Sequence, residues 1–64
     1  MQQNVEEVVR VISELLEVVG PERGARRLAY AIRAAVTARA SGRPLRTAEL
    51  GDAELVILEK LGLL

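Results

Sequence analysis

Arg26 and Arg27 stand four and three residues before Tyr30 and Arg33 three after it, which places them on one face of an α-helix. Guanidinium groups fork onto phosphate oxygens, and a ring between them offers a surface on which a base can stack. Arg43 and Arg46, a short way down the chain, extend the basic character. The chemistry open to this set is recognition of a phosphodiester backbone, DNA or RNA. The competing reading is that the arginines pair with carboxylates of neighbouring helices or stay hydrated. Block charges make both readings concrete. Residues 1–22 carry a formal −4, residues 23–46 carry +7 with seven arginines and no acid, and residues 47–64 carry −3. The chain as a whole sums to zero, without the positive field usual in nucleic-acid-binding domains. No helix-turn-helix signature fits a turn at Gly20, Gly42 or Gly51.

Covalent chemistry has little to work with. The sequence holds no His and no Cys, so the usual nucleophile–base pairs cannot be assembled, and Ser13, Thr37, Ser41 and Thr47 have no activating neighbour. Lys60, the single Lys, is expected to face away from Leu58 and Leu61 and so to lack the desolvation a Schiff-base lysine needs. Glu6, Glu7, Glu14 and Glu17 surround Arg10 at helical spacing and read as a solvated, self-paired face. No calcium-loop spacing is present. The expectation is a non-enzymatic protein with no cofactor and no metal.

The elements that must position these residues are legible as helices. Asn4 is a good N-cap with Glu7 three residues later, and Glu6 and Glu7 fall where a helix dipole favours negative charge. Val5, Val8, Val9, Ile12, Leu15, Leu16 and Val19 then repeat at helical spacing, predicting helix 1 over about 5–19. Val11 and Val18 widen its apolar stripe to about half the circumference, which predicts packing on two sides. Gly20 and Pro21 end this helix and open the next. Helix 2 is expected over about 22–41, burying Ala25, Leu28, Ala29, Ile32, Ala35 and Val36 and turning Arg23, Arg26, Arg27, Tyr30, Arg33 and Thr37 outward. Ser41 and Gly42 stop it. Thr47 caps a short turn through Leu50, Gly51 breaks that turn, and Asp52 caps helix 3, expected to about Leu61. The run Leu55, Val56, Ile57, Leu58 suits a buried strand as well, but no second strand exists to pair with it.

Part of this pattern resembles a known family. Gly20-Pro21-Glu22-Arg23-Gly24-Ala25-Arg26-Arg27-Leu28 is similar to the helix opening in the small C-terminal lid of AAA+ ATPases of the MoxR and RuvB kinds. The loop Gly42, Arg43, Thr47 and Glu49 resembles the connection to the last helix of that lid. The likeness covers roughly residues 20–50 and has Arg46 where the family places an apolar residue. It implies a helical lid-like unit in which Arg23 reaches a nucleotide phosphate held by an ATPase domain. The phosphate-cradling G-x-x-x-x-G-K-[ST] loop is absent from this sequence. A weaker similarity joins the central helix and Ala38-Arg39-Ala40-Ser41-Gly42-Arg43 to the histone fold, though zero net charge argues against wrapping DNA.

At 64 residues the chain is one small domain, and domains of this size bury only ~60% of their unfolded surface. Half the residues are apolar, too many for a disordered chain. Without disulfides or metal, the remaining aids are close helix packing and association. The expected fold is all-α, a compact three-helix bundle with a fourth short turn, and self-associating. Val11, Val18, Leu63 and Leu64 form the surplus apolar surface assigned to a homodimer or larger assembly, or to a partner protein. Basic helix 2 of one copy against acidic helix 1 of another would set the orientation. The start lacks the basic region of a signal peptide and no apolar run reaches membrane-spanning length, so the expected location is cytoplasmic. Eight of nine basic residues are Arg, compatible with a GC-rich or thermophilic source and with a de novo design.

Overall fold

A computed structural model describes residues 2–64, with side chains from Val5 onward. It is an all-α three-helix bundle, with no strand among the described residues. The order is α1 (Gln2–Val19), α2 (Pro21–Ser41), a single 3-10 turn (Thr47–Glu49) and α3 (Asp52–Lys60). Each helix packs against the other two. The molecule is flat, with principal extents of 32 × 28 × 15 Å.

α1 begins earlier than its capping signals predict. Gln2 and Gln3 are ordinary helix formers, and the helix runs through them. Asn4 therefore lies inside α1 rather than at its cap, and its side chain lies outside the described residues. Glu6 and Glu7 fall beyond the first turn, which holds no acid. The two later capping assignments shift by one residue as well. Arg46 and Gly51 hold the half-helical positions, leaving Thr47 and Asp52 as the first residues of their turns with no side-chain cap. Gly51 earns that place because its carbonyl accepts from the Leu55 N–H at 3.0 Å.

One residue joins α1 to α2. The Gly20 N–H donates to the Leu16 carbonyl at 2.9 Å, and the Gly20 carbonyl accepts from Gly24 at 2.8 Å. Closing one helix and opening the next on a single residue requires φ 101° and ψ 148°, a region open in practice to glycine alone. At the other end of α2, Gly42 turns left-handed, and the Gly42 and Arg43 N–H groups satisfy the Arg39 and Ala38 carbonyls.

The buried face of α2 coincides only in part with the expected one. Ala35 is buried and Leu28 and Ile32 are half-buried, as expected, but Ala25, Ala29 and Val36 are exposed and Gly24 and Ala31 are buried in their stead. The contact line thus runs through 24, 28, 31 and 35. Its origin is Gly24, where a Cβ would lie 2.7 Å from Leu16 Cδ2 and 3.3 Å from Leu16 Cα. Only a residue without a side chain lets α2 approach α1 so closely. Alanines stand almost all round α2, so hydrophobic spacing alone could not select the face.

The core is small. Leu15, Ala31, Ala35, Ile57 and Leu58 are its buried apolar residues, with Ile32, Leu45, Leu50 and Leu63 packed against the Ala31–Ala35–Leu58 cluster. Leu45 and Leu63 bring the loop after α2 and the C-terminal tail onto it. The tail is held by the Leu63 N–H on the Leu58 carbonyl, 2.9 Å, and by Arg39 Nη1 donating to the Gly62 carbonyl, 3.1 Å. Ends of α1 and α3 are joined by Lys60 Nζ donating to Glu7 Oε2 at 2.6 Å.

That last contact has a pH signature. The hydrogen bond from Lys60, and its charge, hold the Glu7 carboxyl below the ordinary glutamate range. A carboxylate whose folded pKa lies below its unfolded value contributes stability above the unfolded value and loses it as pH falls through the folded one. The urea midpoint of the parent chain is expected to fall more steeply than that of Lys60→Met on acidification from the ordinary glutamate range downward. Parallel curves for the two chains would show that the contact is energetically silent.

Candidate functional site

The structure divides the seven arginines of the basic block into two groups. Arg27, Arg39 and Arg46 are engaged within the chain. Arg27 Nε donates to Glu54 Oε2 at 2.8 Å and its Nη2 to Oε1 at 3.3 Å, a two-point contact with a carboxylate that is 3% exposed. Glu54 is the buried acid in a run of apolar residues, and among the described residues no buried side-chain polar atom lacks a partner. Gly51 makes room for the pair, since a Cβ there would fall 2.5 Å from Arg27 Nη2 and 2.8 Å from Glu54 Oε1. Arg39 holds the tail, and Arg46 stands 3.8 Å from Glu49 with both side chains largely in solvent. Such an exposed pair contributes little.

Arg23, Arg26, Arg33 and Arg43 are exposed and, among the described residues, have no ion-pair or hydrogen-bond partner. Tyr30 is 58% exposed and lies between two open clefts. One, of about 270 Å³, contains Arg26 and the Arg27–Glu54 pair, with Glu49 at its edge. The other, about 380 Å³, lies along the C-terminal half of α2 and is lined by Tyr30, Arg33, Thr37, Ser41, Arg43 and Pro44, without a carboxylate. Of the residues assigned to the basic face, Tyr30, Arg33 and Arg43 thus share one groove. Arg27 is paired with Glu54 in the other cleft, its side chain partly in solvent, and Arg46 lines neither cleft.

The four residues assigned to association separate likewise. Val11 and Val18 lie in a groove of about 310 Å³ between α1 and α3, with Leu15, Val19 and Ala53. Leu63 and Leu64 line a different one, about 250 Å³, with Leu45 and Pro44. Leu63 is accounted for by the core, while Val18 is 85% exposed and Leu64 57%. Val5 and Val9, read from the sequence as core-facing, are 62% and 56% exposed. They lie where α1 runs beyond the Leu16–Gly24 contact.

Sequence reasoning offered pairing of the arginines with neighbouring carboxylates but did not single out Glu54–Arg27 or the role of Gly51. The available signal was a single acid set between Ala53 and Leu55 ahead of an apolar run, a position that buries its carboxylate once α3 is packed. Among the described residues no helix is long and apolar enough to cross a membrane, and no cluster of three acidic side chains is placed to hold a metal ion. No protein-family model, curated protein or solved structure matches the chain.

Proposed function

We propose that this chain is a non-enzymatic helical association module whose partner is a second copy of itself, docked on the α1–α3 groove beside Val18. The observation that carries the reading is surface area. A folded monomer of 7.0 kDa exposes about 4,000 Å², whereas this chain exposes 4865 Å². The difference, about 800 Å², is surface that association can cover. Val18, 85% exposed, stands out from the wall of the groove it lines with Val11, Leu15, Val19 and Ala53. Knob and hole on one patch suit a two-fold contact, in which each Val18 enters the other copy's groove.

Sedimentation equilibrium at micromolar concentration, at low and at high salt, tests this. The expected result is a dimer at both salts, because the buried surface is aliphatic. Val18→Glu is expected to weaken the dimer at least about tenfold, as for a central anchor. The stability of the monomer should hardly change, since Val18 has little burial to lose. A monomer at both salts rejects the proposal. A dimer indifferent to Val18→Glu moves the contact to another face.

A further inference from the structure

We propose that the groove along the C-terminal half of α2 is a binding site for single-stranded nucleic acid. Tyr30 would stack on a base, and Arg33 and Arg43 would hold the backbone phosphates. This groove shares no lining residue with the one beside Val18, so the two proposals stand or fall separately.

The groove has the parts that a strand needs and none that repel it. Arg33 comes from α2 and Arg43 from the loop beyond Gly42, so the two guanidinium groups belong to different segments of one wall. Neither has a carboxylate partner among the described residues, so binding a phosphate would break no ion pair. Thr37 and Ser41, four residues apart on α2, add hydroxyl donors between them. Tyr30 sits at the other end with more than half its surface in solvent, free to offer a ring face.

Two objections can be weighed. The groove lies near the C-terminus of α2, where the helix dipole presents about half a negative charge. Two of its last four carbonyls, those of Ala38 and Arg39, are however occupied by the Arg43 and Gly42 N–H groups, and two full guanidinium charges stand in the same groove. The chain also has no net charge. Screening confines surface charges to about 8–10 Å at physiological salt, so a strand in the groove responds to Arg33 and Arg43 more than to the acids of α1. The aromatic surface favours a strand over an acidic peptide, whose carboxylates gain nothing from a ring. A recess lined by one helix and one loop suits an extended strand with splayed bases better than a duplex, which needs an element inserted into its grooves.

The experiment is a fluorescence-anisotropy titration of the parent chain with a labelled single-stranded oligothymidylate of about ten nucleotides, within the usual range for small strand-binding domains. The same oligomer as a duplex with its complement, and a labelled oligoglutamate peptide, serve as comparisons. Two phosphate contacts predict a slope of log K against log salt near about −1.4, and Arg33→Gln and Arg43→Gln should each reduce it by about 0.7. Tyr30→Ala should weaken binding about tenfold without changing that slope. All three residues are exposed, so circular dichroism should report an unchanged fold. Val18→Glu should leave strand binding intact. Absence of binding at low salt overturns the proposal, and so does binding that Tyr30→Ala leaves unchanged. Equal or tighter binding of oligoglutamate would assign the groove to an acidic protein segment instead.

Discussion

Arg27→Ala is expected to destabilise the fold by about 2–4 kcal/mol, whereas Glu54→Leu should change stability by less than about 1 kcal/mol. The asymmetry follows from where the two charges sit. The Glu54 side chain is 4% exposed and that of Arg27 43%. Removing Arg27 leaves a carboxylate that is almost wholly buried without its partner, and an unpaired buried charge is among the most costly defects in a protein. Removing Glu54 frees a guanidinium that already lies partly in solvent, and leucine restores apolar packing next to Ala53 and Leu55. The pair's own net contribution is modest, because taking two charges out of water offsets much of their attraction. A domain of 64 residues is stable by only about 3–10 kcal/mol, at roughly 0.05–0.15 kcal/mol per residue. The first substitution should therefore leave a substantial unfolded population at ambient temperature. Urea titrations followed by circular dichroism measure both changes. Equal losses in the two variants would mean that geometry, not stranded charge, is what the pair supplies.

Gly20→Ala should cost about 1–3 kcal/mol, purely through the backbone. A Cβ at this position would meet nothing within 4 Å, so no packing is disturbed. What the substitution forbids is φ 101°, the angle at which α1 stops and α2 starts within one residue. Pro21 follows, lacking the N–H that a first helical position leaves unpaired, and its fixed φ leaves the turn to Gly20. The chain is short enough for chemical synthesis, which gives the mirror-image control. D-alanine at position 20 adopts positive φ without strain and narrows the unfolded ensemble, so it should stabilise by about 0.4–1 kcal/mol relative to glycine. Destabilisation by both enantiomers would place the cost in side-chain contact rather than in the backbone.

The two substitutions mark what could and could not be read from the chain. Gly20 and Pro21 announce their turn locally, as do Gly42 and the spacing of Val8, Ile12, Leu15 and Val19, because such signals act through residues within a turn of one another. The all-α class and the order of the helices follow from these. The basic block was equally plain. What each arginine does was not, because Arg27 and Glu54 are 27 residues apart and nothing short-range relates them.

Composition blurred one further point. α2 carries alanine on nearly every side, so Ala25, Ala29 and Val36 look as suitable for burial beside Leu28, Ile32 and Ala35 as Gly24 and Ala31 do. Contact with Leu16 decided between them, since only Gly24 admits the other helix at that distance. The sequence by itself thus determined three helices, their joints and a block pattern of charge. Tertiary structure alone decided which face of α2 is buried, which arginines are engaged, and that Tyr30, Arg33 and Arg43 share one groove. Periodicity records how apolar residues repeat along a helix. The rotation of that helix is chosen by long-range contacts, where steric fit at one glycine and the desolvation of one carboxylate outweigh small differences among alanines.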